Sequence, residues 1–273
     1  MGDFTQYDFV PNRRVFTRAL RFLLAFFEVM NLGLLIEADL HTHTLVSNHA
    51  YSTLKENCAS AAALGLKAIA MTDHSPGTPD GAHILHFINQ RTLPRTVCDV
   101  TVLRGAEVNI TDSTGALDME ERHLAPLEWV VASMHNRVMN DHTREGCTAA
   151  YLAVAENPLI DVIGHCTTDS FPFDMEPCLK KFKEYEKLVE INESSVVYRN
   201  GSLQNSIEVL RLCKRYEIPI VIDSDCHFCD LIGLVPAAEQ LIEGTGFPKR
   251  LIINADWERV RKFVQKRHPG IDI

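Results

Sequence analysis

The stretch "ADLHTHTLVSNHAYS", residues 38–52, places His41, His43 and His49 within nine residues, directly after an apolar run. His41 and His43 are two apart, so on a strand they point to one side. The pattern returns along the chain. "KAIAMTDH" (67–74) ends on His74, and "VTVLRGAEVNI" (100–110) carries Glu107 near its end. "EWVVASMH" (128–135) ends on His135, "LIDVIGHC" (159–166) carries His165, and "IPIVIDSDCH" (218–227) closes with Asp225 and His227.

Each of these runs is rich in Val, Ile, Leu or Ala and bounded by turn residues, as expected of strands buried on both faces. Helical segments alternate with them: "STLKENCASAAALGL", "CTAAYLAVAEN", "EPCLKKFKEYEK", "SLQNSIEVLRLCKRYE" and "DWERVRKFVQK". Another short apolar run, "KRLIIN" (249–254), lies near the end. About seven such units imply parallel strands joined by right-handed crossovers, in a barrel or a wide doubly wound sheet.

In parallel α/β folds the loops at the carboxyl ends of the strands converge on one mouth. Seven histidines and two carboxylates would therefore arrive at one place from six strands. Imidazole nitrogen and carboxylate oxygen suit zinc, manganese and iron, and nine ligands are enough for two or three ions. A carboxylate such as Glu107 is able to span two of them.

Composition sets the remaining bounds. The 273 residues suffice for a large core, and 46% hydrophobic with 23% charged residues is ordinary for a globular chain. A formal charge of −9 disfavours a long nucleic-acid track, which needs Lys and Arg along phosphates. Eight cysteines without framework spacing read as reduced thiols in the cytoplasm, and the lone Cys226-x-x-Cys229 pair is a weak signal. Residues 13–36 superficially resemble a signal peptide or membrane anchor, but Arg21, Glu28 and Asn31 interrupt the apolar run. Residues 1–35 are expected to be an N-terminal extension, either an added helix or a mis-assigned start with Met30 as the true one. Residues 36–273 are expected to form a single domain.

The motifs "DLHTHT", "SNHAYSTL", "TDHSP", "LRGAEVNI", "ASMH", "IGHC", "EINESS" and "DSDCH" resemble the polymerase-and-histidinol-phosphatase (PHP) family. They are most similar to its YcdX-type branch of stand-alone phosphatases, over roughly residues 36–267. That resemblance implies a distorted (β/α)7 TIM-like barrel with three metal ions, zinc foremost, at the C-terminal ends of the strands. It implies that His41, His43, Asp225 and Glu107 hold one ion, Glu107, His135 and His165 a second, and His49, His74 and His227 a third. No ligand position of the pattern is substituted.

The expected activity is hydrolysis of small phosphate monoesters by water activated at the metals, with Glu107 and Asp225 at the reacting centre and His142 as a proton donor. Asp39, Asp73 and Asn192 are expected to orient ligating imidazoles. The alternatives are a 3′–5′ exonuclease or phosphodiesterase, a histidinol-phosphate phosphatase, and a metal-binding scaffold without turnover. No stable nucleic-acid or membrane partner is expected, and oligomeric state is not legible. Of the other histidines, His83 and His86 would share a helix face, each as plausible at substrate as in solvent. Cys166 and Cys226, beside ligands, would expose the site to oxidation if reactive.

Overall fold

The structure, a computed structural model, describes residues 35–273. The expected helix or late start within residues 1–35 lies outside the described residues, Leu35 apart. Strand β1 (Ala38–Thr42) is followed by helix α1 (Leu54–Ala63), β2 (Ala68–Met71), α2 (Ile84–Asn89), β3 (Thr96–Val97) and the long β4 (Val100–Asn109). Next come α3 (Glu121–Leu124), β5 (Trp129–Ser133), α4 (Arg144–Ala155), β6 (Val162–Ile163), α5 (Met175–Glu184) and β7 (Leu188–Asn192). The chain ends with α6 (Glu193–Tyr198), α7 (Ser202–Tyr216), β8 (Ile220–Asp223), α8 (Pro236–Thr245) and α9 (Trp257–Arg267). Among the described residues, no helix is long and apolar enough to cross a membrane.

The strands run β1-β2-β4-β5-β6-β7-β8, each parallel to its neighbour, which is the expected seven-stranded α/β barrel. The two-residue β3 pairs antiparallel with β4 outside this ring. "KRLIIN" forms no strand. It folds into two 3-10 turns and makes one backbone bridge to the sheet, Ile252 to Ile220.

The barrel interior follows the two-residue period of strands. Ala38, Leu40, Ala68, Ala70, Leu103, Trp129, Val131, Val162, Leu188 and Val221 form one buried cluster. Val260 and Val264 of α9 join it, and Trp129 meets Phe263 edge-on at 5.7 Å. The last helix thus belongs to the barrel core.

Closure between β1 and β8 uses side chains more than a ladder. Only one bridge, Thr42 to Cys226, joins these segments, flanked by His43 N–H to Cys226 O at 3.0 Å and Asp225 N–H to His41 O at 3.0 Å. Below it, Asp223 Oδ1 accepts from Leu40 N–H at 2.7 Å. Asn254 Nδ2 donates to Ala38 O and to Ile222 O, and its Oδ1 accepts from Ile222 N–H. The amide supplied by "KRLIIN" therefore satisfies backbone groups that a strand pair would otherwise consume.

Local signals mark the helix starts. Thr53 and Glu56 form a reciprocal capping box for α1, and Asp256 caps α9. Glu193 accepts from Ala237 N–H at 3.0 Å and Ala238 N–H at 2.9 Å in the first turn of α8. Burial nevertheless pushes its carboxyl up to about 7, against the pull of those two donors. Between the unfolded carboxyl's range, about 4.3, and about 7, the folded state binds more protons than the unfolded state. This group's contribution to stability is therefore complete at low pH and is lost as pH rises through that window. Relative to the parent, Glu193→Gln is expected to gain stability as pH rises from 5 to 7.5, read by thermal melts at both values. A pH-independent difference would refute it.

Candidate metal centre

Two local distortions bring the ligands together. Between Asp39 and Thr42, β1 spends one residue more than its partner β2, a bulge. Leu40 and His41 both lie within that irregularity, Leu40 packing in the core and His41, with His43, entering the barrel mouth, so the bulge re-aims the strand's end. The second device is left-handed backbone at ligands, φ 25° at His165 and 53° at Asp225. Such conformations strain a side-chain-bearing residue and persist only where the surroundings enforce them. Gly164 makes room for the first, since a Cβ there would sit 2.3 Å from Ser133 Oγ.

Glu107 is the hub. Its Oε1 lies 2.8 Å from His165 Nε2, 3.4 Å from His135 Nε2 and 3.5 Å from His41 Nε2. Its Oε2 lies 2.6 Å from His74 Nδ1 and 3.7 Å from His43 Nε2. Asp225 Oδ1 approaches His43 Nε2 at 3.1 Å and His41 Nε2 at 3.8 Å. The His227 ring stacks on His43 and on His49, each at 4.3 Å, and His49 lies 5.0 Å from His74. Three sets offer ligand atoms within 4.8 Å of one another: His41–His43–Asp225, His74–Glu107–His135 and His43–His74–His227. His49 stands at the rim, half exposed, with Nδ1 2.5 Å from Asp80 Oδ2.

The donor set fits divalent metal. His41 Nε2, His43 Nε2, His74 Nδ1, His135 Nε2, His227 Nε2 and Glu107 Oε2 are all buried without an aligned hydrogen bond, the 2.6 Å approach of His74 to Glu107 included. One such atom is costly and usually avoided, so six at one place call for cations. Charge distribution agrees. Burial disfavours the ionised form of Glu107 and Asp225, but the imidazoles, His74 foremost for Glu107 and His41 for Asp225, hold both carboxyls well below the ordinary range. Burial, then His227 and His74, keeps the His43 pKa well down, and burial with Arg199 lowers that of His165 to about 4. Ionised carboxylates and neutral imidazoles are the forms that coordinate metal. His41 and His74 depart: despite burial, Glu190, Glu107 and Asp225 raise His41 well above its usual value, and Glu107 foremost raises His74.

The groups that aim the ligands are mostly ones the sequence reading passed over. Glu190 accepts from His41 Nδ1 at 2.7 Å and from His165 N–H at 2.5 Å. Asn109 Oδ1 accepts from His135 Nδ1 at 2.6 Å, and Asp118 fixes that amide by accepting from Asn109 Nδ2 and N–H. Of the three orienting residues expected, Asn192 touches a ligand, the Asp225 carboxylate at 3.2 Å. Asp39 and Asp73 orient no imidazole of the cluster. Asp39 binds Ser224 and Gly233, and Asp73 binds Thr44, Ser47 and His86, because their side chains turn to the loops that carry the ligands. Glu190 was legible: it interrupts the apolar "LVEIN" two residues before Asn192, on the same side of the strand. Glu190→Gln is expected to weaken metal affinity by about 10–100-fold, checked by competition with a chromophoric chelator.

Other expected contacts fall elsewhere. His142 is exposed, with Nε2 donating to Met139 O at 3.0 Å and its ring on Phe171, and nothing joins it to the nine ligand residues. His83 caps α2 through its ring, and His86, three residues on in the first turn, reaches Asp73 at 3.0 Å. All eight cysteines are free. Cys166 and Cys226 are buried, and burial pushes the former thiol to about 12 and the latter well up, which makes both unreactive.

Fold and site together define an α/β barrel with a cluster of side chains able to hold metal at the carboxyl ends of the strands. The family model of the PHP domain matches residues 39–259. The chain is 40% identical over 230 residues to a probable phosphatase of Clostridium novyi, covering 84% of this chain and 94% of that one. It is 37% identical over 233 residues to a probable phosphatase of Acetivibrio thermocellus, covering 85% and 97%. The chain belongs to the PHP domain family. Its fold is similar to that of the histidinol phosphate phosphatase of Lactococcus lactis, solved with zinc, L-histidinol and phosphate, with a TM-score of 0.55 at 19% identity over 77% of this chain and 94% of that one.

Proposed function

We propose that residues 36–273 form a metal-dependent phosphatase that hydrolyses small phosphate monoesters at a site for three divalent ions, zinc foremost, with manganese or iron as substitutes. The observation that carries this is the convergence of buried imidazole and carboxylate atoms around Glu107, six of them without an aligned hydrogen bond. In this reading His41, His43 and Asp225 with Glu107 hold one ion, Glu107, His135 and His165 another, and His49, His74 and His227 the third. Divalent ions at such a site neutralise phosphoryl charge, acidify water and stabilise a departing alkoxide.

The chain's own residues prepare that chemistry. Glu190 and Asn109 lock two imidazoles in orientation, and Asn192 holds Asp225. Arg199, about one-third exposed, stands 3.7 Å from Asp225 Oδ2 and offers a guanidinium to a phosphoryl oxygen at the edge of the cluster. His142, with Nε2 on the Met139 carbonyl, would have to leave that bond to serve as the proton donor. Probable phosphatases as relatives support the reaction class. The proposed setting is the cytoplasm, with a small phosphorylated compound as substrate, not a nucleic-acid strand or a membrane.

The test is a metal assay combined with turnover on sugar phosphates, nucleotides, vitamin phosphates, histidinol phosphate and a dinucleotide. About three equivalents of metal and faster cleavage of monoesters than of the dinucleotide are expected. Less than one equivalent, with turnover indifferent to stripping, would sink the reading.

A further inference from the structure

Several of the large apolar side chains that the described residues expose stand on segments leaving the carboxyl ends of strands. Leu45 and Tyr51 follow β1, Leu85 opens α2, and Phe228 follows β8. Tyr51 is 76% exposed and Phe228 44%, values that leave most of one ring and nearly half of the other to solvent. Single exposed apolar residues are ordinary, but a cluster beside a functional cleft marks a contact surface.

These two aromatic residues are tied to the same pair of ligand residues. Tyr51 lies two residues after His49, Phe228 one after His227, and the His49 and His227 rings stack at 4.3 Å. Their loops are sewn together by Tyr51 N–H to His227 O at 2.8 Å and by Cys229 N–H to Ser52 Oγ at 2.9 Å. Leu45 N–H donates to Ser52 O at 2.8 Å and brings a third exposed apolar residue to the same seam. Elsewhere at the cluster, Arg199 supplies charge for a phosphoryl group.

Resting on the phosphoesterase reading, we infer that Tyr51 and Phe228 select the leaving group, and that the site prefers phosphate esters of aromatic alcohols to those of sugars or glycerol. Ring faces reward planar apolar surface and offer a polyhydroxylated chain few hydrogen-bond partners. Two such contacts amount to about a tenfold preference.

Phenylphosphonate and methylphosphonate, whose P–C bonds resist hydrolysis, isolate this effect in calorimetric titrations of the metal-loaded protein. Phenylphosphonate is expected to bind about tenfold more tightly. The ratio should fall toward one in the double variant Tyr51→Ser, Phe228→Ser and persist in Tyr51→Phe. The ratio of kcat/KM for phenyl phosphate over glycerol phosphate should move in parallel. A ratio near one in the parent protein, or one indifferent to the double variant, overturns the inference. So does a double variant that changes only the oligomeric state in sedimentation, which would make the patch a contact between copies. If neither phosphonate nor inorganic phosphate binds and no monoester is cleaved, the phosphoesterase reading itself fails.

Discussion

Glu107→Gln is expected to lower phosphomonoester turnover by more than about 100-fold, beyond the range typical of groups that merely support ligands, and to lower metal content with it. The substitution keeps size and shape but removes the charge shared by five imidazoles, those of His41, His43, His74, His135 and His165. An amide also presents one oxygen and one NH2, so the atom replacing an oxygen would point N–H bonds at ions or at imidazole N–H groups. Metal content by mass spectrometry and turnover on one monoester check both halves. Full metal content with normal turnover would remove Glu107 from the centre.

Metal depletion is expected to abolish turnover and to lower the thermal midpoint by about 10 °C. The latter figure follows from a ligand at about a thousand times its dissociation constant, worth about 4 kcal/mol, and from the size dependence of thermal shifts. The structural reason is the packing of seven imidazoles and two carboxylates into one mouth, with ligands carried on β1, β2, β4, β5, β6 and β8 or on the loops directly after them. Ions bound in common by these segments would hold six strands in register. Melting curves with and without a chelator, followed by zinc add-back, read the effect. Coincident curves would show that the barrel does not depend on metal.

The parallel strands were legible because each is an apolar run buried on both faces, and the gathering of the candidate ligand residues because they recur at the same end of those runs. What escaped were features with no periodic trace. The strand β3 has only two residues and pairs outside the ring, and "KRLIIN" has strand composition yet serves as a buried plug through Asn254. The bulge in β1 was invisible too. His41 and His43 share a side by simple alternation, but Leu40 shares the barrel with them only because an extra residue intervenes. Partners of the ligands proved hardest to place. Asp39 and Asp73 sit beside ligands in sequence but turn toward loops, whereas Asn109 meets His135, and Asp118 meets Asn109, only once the sheet is formed.

The stitched closure between β1 and β8 bears on how the polypeptide is born. Leu40 meets Asp223 across 183 positions, and Ala38 meets Asn254 across 216. A nascent chain extruded from the ribosome therefore carries an open, curved sheet until almost its last segment has emerged. Contacts so remote in sequence form late, after entropy has been lost in gathering everything between them. Through that interval the edge of the first strand that faces β8 lies bare and the pocket lacks Asp225 and His227, so translation stalled before these residues leaves a product exposed to aggregation and degradation.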